Sequence, residues 1–335
     1  MNIKENILLK NFTTFRTGGL ARYFVRVKDI KELKTAVRFA KEKKLPFFVL
    51  GRGANVLISD EGFRGVVIKM EIGGMQFKNS RVVAGAGENW DSFVKKTIKH
   101  KLTGLENLSF IPGTVGASAV GNIGAYGVEV KDFIFFVEAL DIETLRIKKF
   151  SNKKCAFGYR ESFFKTKEGK NYIVTNVIFK FKKNILKTDY KDVQEYFSNK
   201  KIKNPTSKKL RDAIIAIRKQ KLPDVLHVGT AGSFFKNPIT SKQKAESLKK
   251  QYPEMGIYLQ PNGKAKISAG FLLDKICGFR GYKKGNIGTW EKQALVVVNN
   301  GKGSTKEILE FTQMMKKTVK EKTGINLEGE VQMIK

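Results

Sequence analysis

The sequence predicts an α+β protein built from more than one domain. Its 335 residues are enough for two or three hydrophobic cores. Residues 21–50 have the pattern of a strand, a helix and a second strand, and residues from about 224 to 325 form a separate mixture of helical and strand patterns. The hydrophobic content of 41% is close to that of ordinary globular proteins.

The chain begins with a β-α-β unit. Residues 21–27 alternate between apolar and polar, which predicts a half-buried strand. Asp29 and Glu32 have the spacing of a capping box, and an apolar helix face follows them. Pro46 ends this helix before a short buried strand at 47–50.

The other elements are predicted from the same two periodicities and from capping residues. The helix after Ser304 begins with a second capping box, Ser304 to Glu307. The predicted strands are 65–70, 81–86, 133–142, 172–181, 294–298 and 325–334, and the predicted helices are 91–101, 210–219, 271–277 and the one from Ser304 through Val319.

Two glycine-rich segments are candidates for binding a ligand through the backbone. Residues 51–55 follow a strand, but Val56 replaces the third glycine of a dinucleotide fingerprint and no helix pattern follows. Residues 111–127 combine five glycines with small apolar residues. Glycine allows positive φ and close backbone approach, so this segment is either an ordered anion-binding loop or a pair of tight structural turns.

Composition excludes several classes of protein. The formal charge of +33 invites a nucleic-acid interpretation, but the excess is mainly lysine and is spread along the chain, which favours an enzyme with a lysine-rich surface. No apolar run is long enough for a membrane span, and the N-terminal residues lack a signal peptide pattern. Two distant cysteines and two histidines have no zinc-ligand spacing, so no metal and a reducing cytoplasm are predicted.

Three polar residues could perform chemistry, although each also has an ordinary structural interpretation. Arg160 could clamp a carboxylate and stabilise its charge. Ser233 could deliver a proton, and the aromatic pair that follows it is expected to exclude water. Glu330 follows a glycine that permits close approach of the backbone, and its ordinary interpretation is a carboxylate on an edge strand.

In combination, six segments are far more specific than any one of them. Together they resemble the UDP-N-acetylenolpyruvoylglucosamine reductase family over essentially the whole chain. The segments are Gly51–Asn55, Ile111–Tyr126, Phe157–Ser162, Lys221–Asp224, Gly232–Pro238 and Leu327–Val331.

The resemblance implies a flavoenzyme of peptidoglycan precursor synthesis. Its fold would combine a two-part FAD-binding fold of the vanillyl-alcohol-oxidase type with a C-terminal α+β substrate domain. The implied domains are 1–70, 71–205 and 206–325, and the strand at 326–335 would return to the first. The resemblance further implies non-covalent FAD, NADPH as reductant, a UDP-sugar substrate, and a cytoplasmic monomer that binds no specific nucleic acid and no membrane.

The resemblance also implies roles for individual residues. Ser233 would protonate C2 of the enolpyruvyl group, while Arg160 and Glu330 would stabilise its carboxylate. The implied FAD-binding residues are Gly51, Arg52, Gly53, Ala54, Asn55, Pro112, Gly113, Ser118, Asn122, Gly124, Ala125 and Tyr126. The implied substrate-binding residues are Tyr159, Tyr190, Arg218, Lys221, Asn237, Tyr258 and Gln293.

One residue departs from the family pattern, and two other classes stay open. Ala54 stands where many members have serine or threonine, which puts one pyrophosphate contact in doubt. A generic flavin oxidase is the second candidate function, because such an enzyme would not carry both the Ser233 motif and the Glu330 motif. A basic nucleic-acid-binding module ranks third and predicts strongly salt-dependent binding to DNA.

Overall fold

The structure is a computed structural model that describes residues 2–182 and 186–335. The α-helices are α1 Ile30–Glu42, α2 Trp90–Lys99, α3 Val115–Gly121, α4 Lys191–Asn199, α5 Ser207–Lys221, α6 Lys242–Gln251, α7 Ala269–Phe271 and α8 Thr305–Thr323. The strands are β1 Ile3–Leu8, β2 Leu20–Val27, β3 Phe47–Leu50, β4 Val56–Ile58, β5 Phe63–Met70, β6 Met75–Lys78, β7 Arg81–Gly85, β8 Gly124–Ala125, β9 Val128–Glu129, β10 Ile134–Asp141, β11 Ile147–Ser151, β12 Tyr172–Lys180, β13 Gly229–Ser233, β14 Ile239–Ser241, β15 Ile257–Leu259, β16 Lys264–Ile267, β17 Lys283–Lys284, β18 Ile287–Trp290, β19 Gln293–Asn299 and β20 Gln332–Ile334.

The chain divides into two compact units. The first unit comprises residues 1–7, 21–52 and 64–220. It contains a four-stranded sheet in the order β1-β2-β5-β3 and a five-stranded sheet in the order β11-β10-β12-β7-β6. Strand β3 runs parallel to β5, while the second sheet is antiparallel. Helices α1 and α2 bury their apolar faces in this unit's core, as their periodicity predicts.

Helix α1 begins as the sequence predicts, with one difference in its cap. The Asp29 side chain accepts a hydrogen bond from the Glu32 amide at 2.8 Å. The Glu32 carboxylate accepts from the amide of Lys28, one residue before the cap residue itself. The two contacts still satisfy two amides at the start of the helix, so the N-terminus is fixed.

The second unit comprises residues 8–20, 53–63 and 221–335. Its sheets have the orders β13-β19-β18-β17 and β14-β16-β15, and β20 pairs in parallel with β4. Its core packs Phe15, Leu57 and Phe235 against the buried face of α8. The β20–β4 pairing joins segments that are far apart in sequence, so this unit is assembled from distant parts of the chain. The domain boundaries at 70 and 205 stay predictions.

Several segments differ from the prediction. The segment 111–127 contains helix α3, because its small residues pack closely: a Cβ on Gly116 would lie 2.7 Å from the Cβ of Ala86. The final strand is shorter than predicted and spans only Gln332–Ile334, since Gly329 pairs with Phe235 through a single isolated bridge. Helices α4 and α6 were not predicted; both have weak apolar faces with two buried residues each.

Two further observations limit the kinds of site the fold can contain. Among the described residues, no helix has both the length and the apolar character required to cross a membrane. Within residues 2–182 and 186–335, no group of three or more His, Cys, Asp or Glu side chains is arranged to hold a metal ion.

The capping box of α8 leads to a prediction about stability. The Ser304 hydroxyl accepts from the Glu307 amide at 3.1 Å, and the Ser304 amide donates to the Glu307 carboxylate at 2.7 Å. Ser304→Ala should therefore lower the free energy of unfolding by about 1 kcal/mol, as measured by urea denaturation.

The control for this experiment is Ser247→Ala, which changes an exposed serine inside α6. Because alanine has the higher helix propensity, this variant should be unchanged or slightly more stable. Equal destabilisation by both substitutions would contradict the role assigned to the cap.

Candidate active site

The first glycine segment lies against the second. A Cβ on Gly51 would lie only 3.0 Å from Oγ1 of Thr114, the residue that caps α3. On the other side, the Lys69 ammonium donates a hydrogen bond to the Gly51 carbonyl. Burial, together with nearby Arg52 and Arg26, lowers the pKa of Lys69 to about 8, although Glu71 opposes this shift. Within the first unit, the start of one predicted ligand loop, at Gly51, therefore lies against the other.

Residue 53 must be glycine for two reasons. Its φ is +65°, in the left-handed region, and a Cβ would lie 2.0 Å from the carbonyl oxygen of Phe12. The Gly53 carbonyl accepts from the Thr14 amide at 3.0 Å, which fixes the turn. Arg52 is exposed and Ala54 is half-buried. The backbone therefore determines the shape of this loop.

The start of α3 has fewer backbone donors to offer than the sequence suggests. The amides of Val115 and Gly116 donate to the carbonyls of Glu88 and Ala86, both at 2.9 Å. The Ser118 hydroxyl is buried and donates to the Val115 carbonyl at 2.7 Å. Gly113 differs, because its φ is +150° and no atom lies within 4 Å of the position of a Cβ. Open space therefore lies beside Gly113, and also beside Gly127 at the other end of the segment.

Asn122 connects three parts of the first unit. It is fully buried, has a φ of +40° and terminates α3. Its side chain donates to the Glu129 carboxylate at 2.9 Å and to the Gly158 carbonyl at 2.7 Å, and it accepts from the Lys131 amide at 3.2 Å. These bonds stabilise the hairpin of β8 and β9, in which Gly124 and Ala125 form β8. A direct contact of Asn122 or Ser118 with a cofactor stays a prediction.

Arg160 lies at the tip of a tight turn with its side chain fixed. Backbone hydrogen bonds join Gly158 and Glu161 in both directions, and Arg160 has a φ of +58°. Its Nη2 donates to the Gly124 carbonyl at 2.7 Å, and its guanidinium lies 5.6 Å from the centre of the Tyr159 ring. The Ser162 hydroxyl ties the same turn to the Val120 carbonyl at 2.7 Å. A non-glycine residue in this strained conformation is typical of functional sites.

Tyr126, Tyr190 and Arg218 lie together in the first unit. The Tyr126 and Tyr190 rings meet edge to face with centroids 5.3 Å apart. The Tyr126 hydroxyl is hydrogen-bonded to the Arg218 guanidinium, and burial raises the pKa of Tyr126 and lowers that of Arg218. The structure thus brings one residue predicted to bind cofactor together with two predicted to bind substrate.

Ser233 and Glu330 are neighbours in the second unit. The Glu330 amide donates to the carbonyl of Phe234, the residue after Ser233, at 2.8 Å. Asn55 connects to the same place, because its side chain donates to the Glu330 carbonyl at 3.2 Å and its carbonyl accepts from the Gln332 amide. One backbone network therefore places two predicted catalytic residues and one predicted cofactor residue. A common active site of Arg160 with Ser233 and Glu330 stays a prediction.

Ser233 lies at the surface of the second unit beside two buried rings. Phe234 and Phe235 are buried, with 6% and 1% of their surface exposed, while Ser233 itself is exposed. A bulge separates Thr230 from Ser233 in the pairing of β13 with β19, next to Gly232 at φ +74°. The exclusion of water by the two rings during catalysis stays a prediction.

The remaining predicted substrate residues belong to the second unit. Lys221 ends α5 and is half-buried. The Asn237 side chain accepts from the Ala269 amide at 3.0 Å. Tyr258 is 58% exposed on β15, and Gln293 begins β19 with its amide oxygen 3.2 Å from the Cβ position of Gly270. Their contact with substrate stays a prediction.

Sequence reasoning missed residues that hold the site in place. Lys69 is inside β5, where a lysine between apolar neighbours was the available signal. Asn107 is buried and its side chain donates to the carbonyls of Tyr126 and Lys187. Asp91 pairs with Arg211, which is 120 positions away, so no local pattern could have revealed the pair.

Family models match two parts of the chain. A model described as FAD binding domain matches residues 21–147. A model described as UDP-N-acetylenolpyruvoylglucosamine reductase, C-terminal domain, matches residues 224–334. The first match includes both glycine segments, and the second includes Ser233 and Glu330, while Arg160 lies between the two matches.

Individual relatives match over the full length. The UDP-N-acetylenolpyruvoylglucosamine reductase of Flavobacterium johnsoniae is 40% identical and covers 100% of both chains. The enzyme of the same name from Ralstonia nicotianae is 37% identical over 96% of each chain. The crystal structure of the Thermus caldophilus enzyme superposes with a TM-score of 0.71 at 26% identity, again over 100% of both chains. The predicted fold class is confirmed.

The buried Lys69 leads to a prediction about pH. Its pKa falls from 10.5 to about 8 in the folded protein. Between these two values the unfolded chain binds the proton more tightly, so this residue's contribution to the free energy of unfolding rises with pH from about 8 to 10.5. The stability of the wild type relative to Lys69→Met should increase over that range, as measured by urea denaturation at several pH values.

The matched control is Lys78→Met, which removes an exposed lysine from β6. The wild type's advantage over Lys69→Met should grow with pH by more than its advantage over this variant. Equal pH dependence of the two differences would contradict the lowered pKa of Lys69.

Proposed function

Because the chain belongs to the UDP-N-acetylenolpyruvoylglucosamine reductase family, we propose that it catalyses the NADPH-dependent reduction of UDP-N-acetylglucosamine enolpyruvate to UDP-N-acetylmuramate. The family assignment makes the chain an FAD-dependent oxidoreductase of peptidoglycan precursor synthesis. The adjacency of Ser233 and Glu330, through the bond from the Glu330 amide to the Phe234 carbonyl, is the observation that carries the proposal. It gives one backbone network both a proton donor and a carboxylate.

The residues of the two glycine segments fit FAD. The backbone of Gly51 lies against Thr114, and open space lies beside Gly113, so the main chain can approach a pyrophosphate closely. Neither cysteine suits a covalent link, because burial raises the pKa of Cys155 to about 12 and also raises that of Cys277. Non-covalent binding follows, and flavin should be released when the protein is denatured.

Each catalytic residue has a defined task in this reaction. Bound FAD supplies the hydride for C3 of the enolpyruvyl ether after reduction by NADPH, chemistry that amino-acid side chains cannot provide. Ser233 donates the proton to C2. Serine is a weak acid, so Arg160 and Glu330 hold the substrate carboxylate while it gains enol character and keep C2 ready to accept the proton.

Substrate binding is assigned to polar and cationic residues. Tyr190, Lys221 and Asn237 would bind the diphosphate, and Arg218 would add a second cationic donor to it. Tyr159, Tyr258 and Gln293 would contact the rest of the UDP-sugar. We also propose a cytoplasmic monomer, which agrees with the small-molecule substrate.

Ser233→Ala tests the proton donor. Flavin content and reduction by NADPH should be unchanged, because neither step uses the hydroxyl. Oxidation of the reduced flavin by the enolpyruvyl substrate should slow by about two orders of magnitude or more, since a positioned general acid contributes roughly 10²- to 10⁴-fold. Stopped-flow absorbance separates these two half-reactions.

Two further variants complete this test. Ser233→Cys keeps an ionisable proton of similar reach and should retain more activity than the alanine variant. Ser247→Ala removes an exposed hydroxyl from the same unit and should behave as wild type. Turnover of Ser233→Ala at the wild-type rate would refute the assignment and leave Glu330, acting through a water molecule, as the next candidate.

Lys221→Ala tests the diphosphate site. The loss of one charge-assisted hydrogen bond should raise KM for the sugar nucleotide about ten- to a hundredfold. Flavin reduction by NADPH should stay nearly intact. Lys209→Ala changes an exposed lysine of the same helix and serves as the control. Equal damage to both half-reactions would contradict a role restricted to the sugar nucleotide.

A further inference from the structure

Asp91 anchors a network of hydrogen bonds in the first unit. Its two carboxylate oxygens accept from the two terminal nitrogens of Arg211, both at 2.7 Å, in a bidentate pair. The Arg211 side chain is 11% exposed and that of Asp91 is 29% exposed. Oδ1 of Asp91 also accepts from the backbone amide of Phe110 at 2.6 Å. Burial alone would raise the pKa of Asp91, but these bonds hold it below its usual value, so the carboxylate is ionised.

Phe110 is held from both sides. Its amide donates to Asp91, and its carbonyl accepts from Nε of Arg218 at 3.1 Å. Its φ is +60°, a conformation that is strained for a non-glycine residue and persists only where the surroundings impose it. The Phe110 ring is 42% exposed, so core packing does not impose it. The two backbone hydrogen bonds are therefore the constraint.

The far end of the network reaches residues that the proposed function uses. Arg218 is hydrogen-bonded to the Tyr126 hydroxyl, and the Tyr126 ring contacts the Tyr190 ring. The order of contacts is Arg211, Asp91, Phe110, Arg218, Tyr126 and Tyr190. A single carboxylate at one end thus determines where the Phe110 carbonyl lies, and this carbonyl orients the planar guanidinium of Arg218.

We propose that Asp91 is a positioning residue for the substrate diphosphate, acting through the backbone of Phe110 on Arg218. Asp91 does not touch the substrate itself. The inference rests on the proposed function in one respect, namely that Arg218 binds the diphosphate. A purely electrostatic role would have the opposite sign, because removing a negative charge near Arg218 would strengthen binding of an anion.

Asp91→Asn tests this inference in the full-length flavin-loaded protein. The variant keeps the size of the side chain but loses the charge and the bidentate geometry. KM for the enolpyruvyl substrate should rise about five- to thirtyfold, less than the loss of a direct charge-assisted hydrogen bond because Asp91 acts through another residue, with kcat within about threefold of wild type. Flavin content and NADPH-driven flavin reduction should not change. Asp212→Asn, on an exposed neighbour of Arg211, is the matched control and should have wild-type KM.

A double variant shows whether the effect passes through Arg218. If Asp91 acts by orienting Arg218, then Asp91→Asn combined with Arg218→Lys should be no worse in KM than Arg218→Lys alone. Additive effects would overturn the inference, as would an Asp91→Asn variant whose KM stays within twofold of wild type or falls. A merely structural role would reduce flavin content and kcat together and would not give this non-additivity in KM.

The proposed function and this inference can fail separately. If Arg218→Lys leaves KM unchanged, the substrate role of Arg218 is wrong. If Arg218→Lys raises KM but Asp91→Asn does not, only the positioning role is wrong. If Asp91→Asn does not fold, Asp91→Glu replaces it, because this variant keeps the charge but moves the carboxylate away from its place beside the Phe110 amide. A severalfold higher KM then supports the inference, and an unchanged KM overturns it.

Discussion

Left-handed backbone between residues 110 and 127 is the constraint on which the first unit's site depends. Phe110, Asn122 and Tyr126 have φ values of +60°, +40° and +47°, conformations that only glycine adopts without cost. Each is held by side-chain hydrogen bonds: Phe110 by Asp91 and Arg218, Tyr126 by Asn107, and Asn122 by its own side chain, which binds Glu129 and the Gly158 carbonyl. The site is therefore shaped by hydrogen bonds that impose the conformation, and their donors and acceptors are as important as the residues that contact ligands.

The second unit positions its candidate catalytic residues in a different way. The positions of Ser233 and Glu330 follow from backbone pairing between neighbouring segments, in which the Phe234 carbonyl accepts from the Glu330 amide and the Lys236 amide donates to the Glu328 carbonyl. Such a ladder needs no particular side chain at most positions. Phe234 contributes by packing, since its ring contacts the Phe15 ring edge to face with centroids 6.3 Å apart. The result is a rigid support with an exposed hydroxyl at its surface.

Sequence alone predicted the elements whose signal is local. The apolar period of α1 and the capping box of α8 were sufficient to place both helices, and the combined motifs were sufficient to identify the family. Helix α3 was missed, because glycine and alanine have no periodic apolar signal and the helix depends on close packing against Ala86. The Asp91–Arg211 pair and the exposure of Ser233 could not be predicted, since both depend on contacts between residues distant in sequence. The roles of the individual site residues stay predictions.

The parallel pairing of β20 with β4 has a consequence for biosynthesis. Residues 332–334 follow residues 56–58 about 270 residues later, which at typical translation speeds is roughly a quarter of a minute to a minute. During that interval β4 has no β20 to pair with, and Leu57 lacks later neighbours, such as Phe235, that bury it in the finished unit. The nascent chain therefore exposes an apolar strand edge throughout that interval, and such an edge can pair with other chains.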